Sequence, residues 1–197
     1  MAGARQREHP AGDAGQDPAD DLALARAAAL GDRDAFEVVV HHHGPAMLRY
    51  ARRLLRDPVD AEDAVQEALV AAWRGLERYR GESSLRTWLL GLTSHKAVDL
   101  ARRRRPEPVD RDTVAERPAE EVVDPATHAS AGALAAALQR ELLGLPYGQR
   151  AAWVLVELEG LSQPEVAQVL GVTPDAVRGN LFRARRALEE RMARWRP

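Results

Sequence analysis

The sequence predicts an all-α protein: two small helical domains joined by a flexible acidic linker, the second containing a helix-turn-helix. Three observations lead there. Apolar residues recur at helical spacing along most of the chain, and no stretch alternates as a half-buried strand does. The segment "RRPEPVDRDTVAERPAEEVVDP" interrupts that pattern with four prolines and an excess of acid, which suits a linker and not a buried element. The formal net charge of −2 hides a segregation by block. Lys+Arg against Asp+Glu number 15 and 12 over residues 21–105, 2 and 7 over 106–128, and 9 and 7 over 129–197, so two mildly basic blocks flank an acidic connector.

In chain order, residues 1–20 form a Gly/Pro/Asp-rich tail expected to be disordered. Residues 21–105 form a first domain, with helices expected over Leu22 to Leu30, Asp34 to Leu55, Pro58 to Leu76 and Ser83 to Arg105. Gly31-Asp32, Asp57-Pro58 and Gly81 supply the stops. After the linker at 106–128, residues 129–197 form the second domain. Its helices are expected over about Thr127 to Leu143, Pro146 to Leu158, Gln163 to Leu170 and Pro174 to Arg194.

Composition bounds the function classes. At 197 residues, 45% hydrophobic and 29% charged, the chain has the make-up of an ordinary globular protein. It offers no membrane-length apolar run and no signal-peptide core, so no membrane insertion and a cytoplasmic location are expected. Without cysteine there is no disulfide framework or Cys-ligated zinc site. His41, His42 and His43 do not make a metal site either, because successive helical residues point about 100° apart. No cofactor and no catalytic site are expected, since the chain lacks a nucleophile constellation or phosphate loop.

The stretch "LSQPEVAQVLGVTPDAVRGNLFRARRAL" carries the helix-turn-helix. Ser162 and Glu165 have capping-box spacing, Gly171 makes the turn, and Thr173-Pro174 starts the next helix. Val177, Leu181, Ala184 and Leu188 form an inward stripe, leaving Arg178, Gly179, Phe182, Arg183 and Arg186 on or near the outward side. That is the layout of a helix presented to a major groove, where an exposed Phe182 can meet a thymine methyl.

The first domain carries two further signals. Trp73, Tyr79 and Trp88 alternate with Arg74, Arg78, Arg80 and Arg86, and rings beside cations suit single-stranded nucleic acid. Trp73 and Trp88 also lie on apolar stripes and fit a core role equally, whereas Tyr79 sits in a short loop. The acids Asp60, Glu62, Asp63 and Glu67 fit either a helix N-terminus favoured by its dipole or a docking face for a basic partner.

The motifs "DAEDAVQEALVAAW", "SSLRTWLLGLTSHKAVDLARRRR" and "LPYGQRAAWVLVELEGLSQPEVAQVLGVTPDAVRGNLFRARRAL", in this order, resemble the extracytoplasmic-function group of bacterial sigma factors over roughly Leu22 to Met192. The resemblance implies that Asp60, Asp63, Gln66 and Glu67 grip core RNA polymerase. It implies that Tyr79, Arg80, Ser83, Ser84, Trp88, His95 and Lys96 hold the unpaired strand of the minus-ten element. It also implies that Arg178, Gly179, Asn180, Phe182, Arg183 and Arg186 read the minus-thirty-five duplex, and that an anti-sigma factor is a partner beside the polymerase and promoter DNA. The chain departs from the family where Ser and Arg are common, having Gly179 and Asn180, and in the melting helix at Gly91 and His95. The competing reading is a helix-turn-helix repressor with an N-terminal regulatory or dimerisation domain, which leaves the acidic helix and the aromatic-basic loop unexplained.

Overall fold

The structure, a computed structural model, describes residues 18–104 and 131–195; the bulk of the expected tail and the linker lie outside them. In the first half, α1 (Pro18–Ala29), α2 (Arg33–Leu54), α3 (Pro58–Gly75) and α4 (Leu85–Arg104) follow one another, with a short 3-10 turn at Leu76–Arg78. The second half holds α5 (Ala131–Leu143), α6 (Tyr147–Trp153), α7 (Gln163–Leu170) and α8 (Pro174–Arg191). Residues 18–20, expected in the tail, are the first turn of α1. None of the described helices is long and apolar enough to cross a membrane.

Local chemistry sets the helix starts. Asp32 accepts the Ala35 amide at 3.0 Å to cap α2, and Asp57 accepts the Val59 amide at 2.9 Å to cap α3, whose first residue is Pro58. On α2 the buried Val39, His43, Met47, Tyr50 and Leu54 recur every three or four residues and make the axis of the first half. His43 Nε2 meets Asp21 Oδ1 of α1 at 3.1 Å, while His41 and His42 face solvent with their ring centroids 5.8 Å apart. Phe36 and Trp73 close the α2–α3 contact edge to face, centroids 5.0 Å apart.

In the second half Leu142, Leu145, Leu155 and Leu181 are wholly enclosed. Each such leucine contributes about 1.5–3 kcal/mol by burial. The helix expected from Pro146 to Leu158 changes pitch instead. After Trp153 it continues as a single π turn, Val154–Leu158, closed by the Glu159 amide on the Val154 carbonyl at 3.0 Å. One extra residue in the turn shifts the register and swings Glu159 toward the first half.

The two halves pack against each other, and their buried residues form one continuous core. Helix α4 lies along α7. The Tyr147 hydroxyl donates to the Ser94 carbonyl at 3.0 Å, and Gln139 Nε2 donates to the Arg52 carbonyl at 2.8 Å.

Candidate nucleic-acid and polymerase interfaces

Helix α8 presents the clearest face. Thr173 Oγ1 accepts the Ala176 amide at 3.2 Å, Pro174 occupies the first turn, and Gly171 takes the left-handed conformation (φ 63°) that ends α7. Glu165 closes the α7 cap by accepting the Ser162 amide at 2.8 Å and its hydroxyl at 2.6 Å; these bonds hold the Glu165 carboxyl below its ordinary range. Val177, Leu181, Ala184 and Leu188 are buried, as the stripe requires. Phe182 projects with 67% of its surface exposed, flanked by Arg178, Arg185 and Arg186 along a shallow groove. A large apolar ring thus stands in water on a helix whose opposite face is packed.

Asn180 departs from the expected layout. It is 5% exposed, and its side chain turns inward beside Val177 and Leu181. Residues three and four apart share a helix face, so position 180 follows Val177 into the core edge and is not on the exposed face of α8. Its Oδ1 accepts from Arg183 at 2.8 Å. Gly179 is half-buried beneath the same guanidinium. Arg178 pairs with Asp175, Arg186 with Glu190 at 3.1 Å, and Arg185 with Glu157 at 2.6 Å.

The loop before α4 gathers the residues expected at the melted strand, but Tyr79 is less free than its sequence setting suggests. Its hydroxyl donates to the Ser83 carbonyl at 2.7 Å, and its ring lies 5.3 Å from that of Trp88, tilted by 40°. Trp88 also rests on Gly75, where a Cβ would stand 3.4 Å from the indole. Tyr79 and Trp88 thus form one half-buried aromatic unit bridging the loop and α4. Arg80 is exposed, and so is Ser84 at the helix start, where its hydroxyl donates to Thr87 Oγ1 at 2.8 Å. His95 is exposed, and Lys96 is half-buried.

On α3, Asp63 and Gln66 face solvent one turn apart, and Glu67 continues the stripe. Glu67 already meets Lys96 at 3.4 Å and Arg103 at 3.6 Å from α4, so a residue expected at the polymerase and one expected at DNA are partners of each other. Asp60 is a correction: at 7% exposure it points inward, in the first turn of α3. Spacing explains it, because position 60 lies one turn before the buried Ala64 and Ala68. Its acidity suits the helix dipole and leaves it off the presented face.

Three residues join the halves: Arg86, which the sequence groups with the cations beside the aromatic rings, and Thr87 and Glu159, which it does not single out. Arg86 donates to the Glu159 carbonyl at 3.0 Å and to its carboxylate, while Thr87, 3% exposed, points at Glu165. The Glu159 side chain is 7% exposed and that of Arg86 35%. The partners are 73 residues apart, so no local pattern signals them; the only hint is Glu165, visible as a cap.

Comparison with known proteins accounts for this arrangement. Residues 39–107 match the family model for sigma-70 region 2, and residues 135–188 that for sigma-70, region 4. The ECF RNA polymerase sigma factor SigM of Mycobacterium tuberculosis is 34% identical over 168 residues, 85% of this chain and 82% of that one. The RNA polymerase sigma factor NccH of Alcaligenes xylosoxydans xylosoxydans is 33% identical over 175 residues, 87% of this chain and 94% of that one. The structure of CnrH in complex with the cytosolic domain of CnrY superposes with a TM-score of 0.66 at 32% identity, covering 88% of this chain and 97% of that one. The all-helical architecture, the order of its two halves and these likenesses together establish that the chain belongs to the ECF RNA polymerase sigma factors, which initiate transcription.

Proposed function

We propose a division of labour among the faces described above. The outer stripe of α3, Asp63 and Gln66 with Glu67 beside them, docks on a basic surface of core RNA polymerase. The loop Tyr79 to Ser84, with Trp88, His95 and Lys96 of α4, holds unpaired bases of the minus-ten element. Helix α8 reads the minus-thirty-five duplex through Arg178, Phe182, Arg183 and Arg186. The observation that carries this reading is Phe182, two-thirds exposed among arginines on the outer face of a helix whose inner face is packed. An exposed apolar ring amid cations fits a groove that offers both phosphates and thymine methyls, and it gains nothing in water.

The factor acts by binding and not by turnover chemistry, and it works in the cytoplasm beside the polymerase. An anti-sigma factor is a partner; CnrH was solved with the cytosolic domain of CnrY, and the sigma factor RpoE with the anti-sigma factor NepR from Bartonella quintana. The reading of the melting residues also requires α4 to be freed from α7, because Thr87 and Ser94 are covered where the halves meet.

Asp63→Arg is the test of docking. Asp63 is exposed, whereas Glu67 braces α4, so reversing Asp63 alone changes the surface without stripping Lys96 and Arg103 of their partner. A reversed charge at an interface costs several kcal/mol. Affinity for core polymerase should fall by tenfold or more while the helical spectrum is kept. An unchanged affinity removes α3 from the docking surface.

A further inference from the structure

Of the arginines on the outer side of α8, Arg178, Arg185 and Arg186 are each matched by a carboxylate. Arg183 is held differently. One of its terminal nitrogens donates to the neutral Asn180 amide oxygen at 2.8 Å. Because a guanidinium only donates, the acceptor must be Oδ1, which fixes the amide's orientation. Asn180 in turn is 5% exposed and locked against the packed stripe. The guanidinium lies flat over Gly179: a Cβ built there would stand 3.4, 3.7 and 3.8 Å from Nη1, Nη2 and Cζ. A larger residue at 179 would occupy the plane that Arg183 uses.

We propose that Asn180 is a positioning residue for base recognition: a buried amide that fixes the Arg183 guanidinium over Gly179, with no carboxylate paired to it among the described residues and its remaining donors aimed outward. The proposal rests on the reading of α8 as the duplex-reading helix. An arginine carries much rotamer freedom, and its rigid fork discriminates a base only when its plane is set. A carboxylate partner would set the plane but cancel the charge that draws it to DNA. An amide sets it and leaves the charge whole. The two residues that depart from the family pattern, Gly179 and Asn180, thus act together as a seat for Arg183.

The experiment uses holoenzyme assembled from core polymerase and the full chain, with promoter duplexes randomised across the minus-thirty-five element, and reads the preference at each base pair. Arg183→Ala should relax one position about 5- to 140-fold, the equivalent of the 1–3 kcal/mol of a bidentate base contact. Asn180→Leu, which has the same branching without an acceptor, should relax the same position about 5-fold, as the loss of one hydrogen bond of about 1 kcal/mol dictates, and leave the others alone. Asn180→Asp, which keeps an acceptor but pairs the charge, should keep the preference at that position while weakening binding to every sequence, and the double variant of Asn180→Leu with Arg183→Ala should discriminate no worse than Arg183→Ala. Asn180→Ala is the second variant should Leu not be accommodated, with thermal melting measured for each. The proposal is overturned if Asn180→Leu keeps the preference at that position, or lowers all positions equally, as a merely structural residue would. A different failure, Arg183→Ala changing no preference, removes base reading by Arg183 and the seat with it.

Discussion

Glu159→Gln probes the contact that joins the two halves. The wild-type carboxylate is almost fully buried and receives Arg86, which also donates to the Glu159 carbonyl at 3.0 Å. Glutamine keeps an acceptor oxygen and the backbone carbonyl but turns a charge-assisted bond into a neutral one. Charge-assisted bonds are worth about 1.5–3 kcal/mol and neutral ones about 0.5–1.5, so the loss is about 1 kcal/mol. Arg86 is one-third exposed, which places the loss in the lower part of that range. About 1 kcal/mol corresponds to roughly a fivefold shift from packed to separated halves. The chain contains no cysteine, so Ala23→Cys on α1 and Gln168→Cys on α7, both exposed, give unique dye sites. Single-molecule energy transfer then counts packed and separated molecules directly. Glu159→Gln should enrich the separated population about fivefold, and Arg86→Ala should enrich it further. Identical populations in all three proteins would refute the claim that this pair holds α4 against the second half.

Tyr79→Phe should keep open-complex formation on paired templates, since the ring and its Trp88 contact remain, while costing about 0.5–1.5 kcal/mol of stability through the lost bond to Ser83. Tyr79→Ala should impair melting by about 1–3 kcal/mol per lost stack, and normal melting by Tyr79→Ala would make the loop structural. Burial pushes the Tyr147 phenol up to about 12. The folded chain therefore retains a proton that an unfolded tyrosine, with its ordinary value near 10, gives up. Its contribution is complete below about pH 10 and is lost as pH rises toward 12, roughly 3 kcal/mol in all. Tyr50, buried and shifted in the same direction, adds to this loss. Urea titrations at pH 9 and 11.5 should show it, and Tyr147→Phe should flatten the pH dependence. Gly179→Ala, whose Cβ just touches the guanidinium, should gain about 1 kcal/mol of helix propensity and about 2–4 °C in Tm; a lower Tm would mean that the helix needs the glycine.

Most helix starts were legible because they are written in adjacent residues: Asp57 before Pro58, Ser162 three before Glu165, Thr173 before Pro174. So was the exposed character of Phe182, which follows from the stripe through Leu181. Polarity misled where it conflicted with phase. Asp60 and Asn180 are polar residues in apolar register, one turn from Ala64 and three residues from Val177, and register prevailed. The π turn after Trp153 carries no glycine or proline to announce it. The Arg86–Glu159 pair and the Lys96–Glu67 pair depend on how helices cross, which no local spacing encodes. The loop position of Tyr79 follows from the nearby Gly81, but its hydrogen bond to Ser83 and its lean on Trp88 arise only once α4 folds back.

Transcription in vitro by core RNA polymerase with the full chain, on fragmented bacterial DNA with every transcript's first nucleotide mapped, tests the central claim most directly. The account requires transcripts that depend on the added factor and whose start sites share one sequence element about ten and another about thirty-five base pairs upstream. Asp63→Arg should abolish those transcripts, while Arg183→Ala should blur the upstream element alone. Factor-independent starts, or starts without a shared pair of elements, would contradict it.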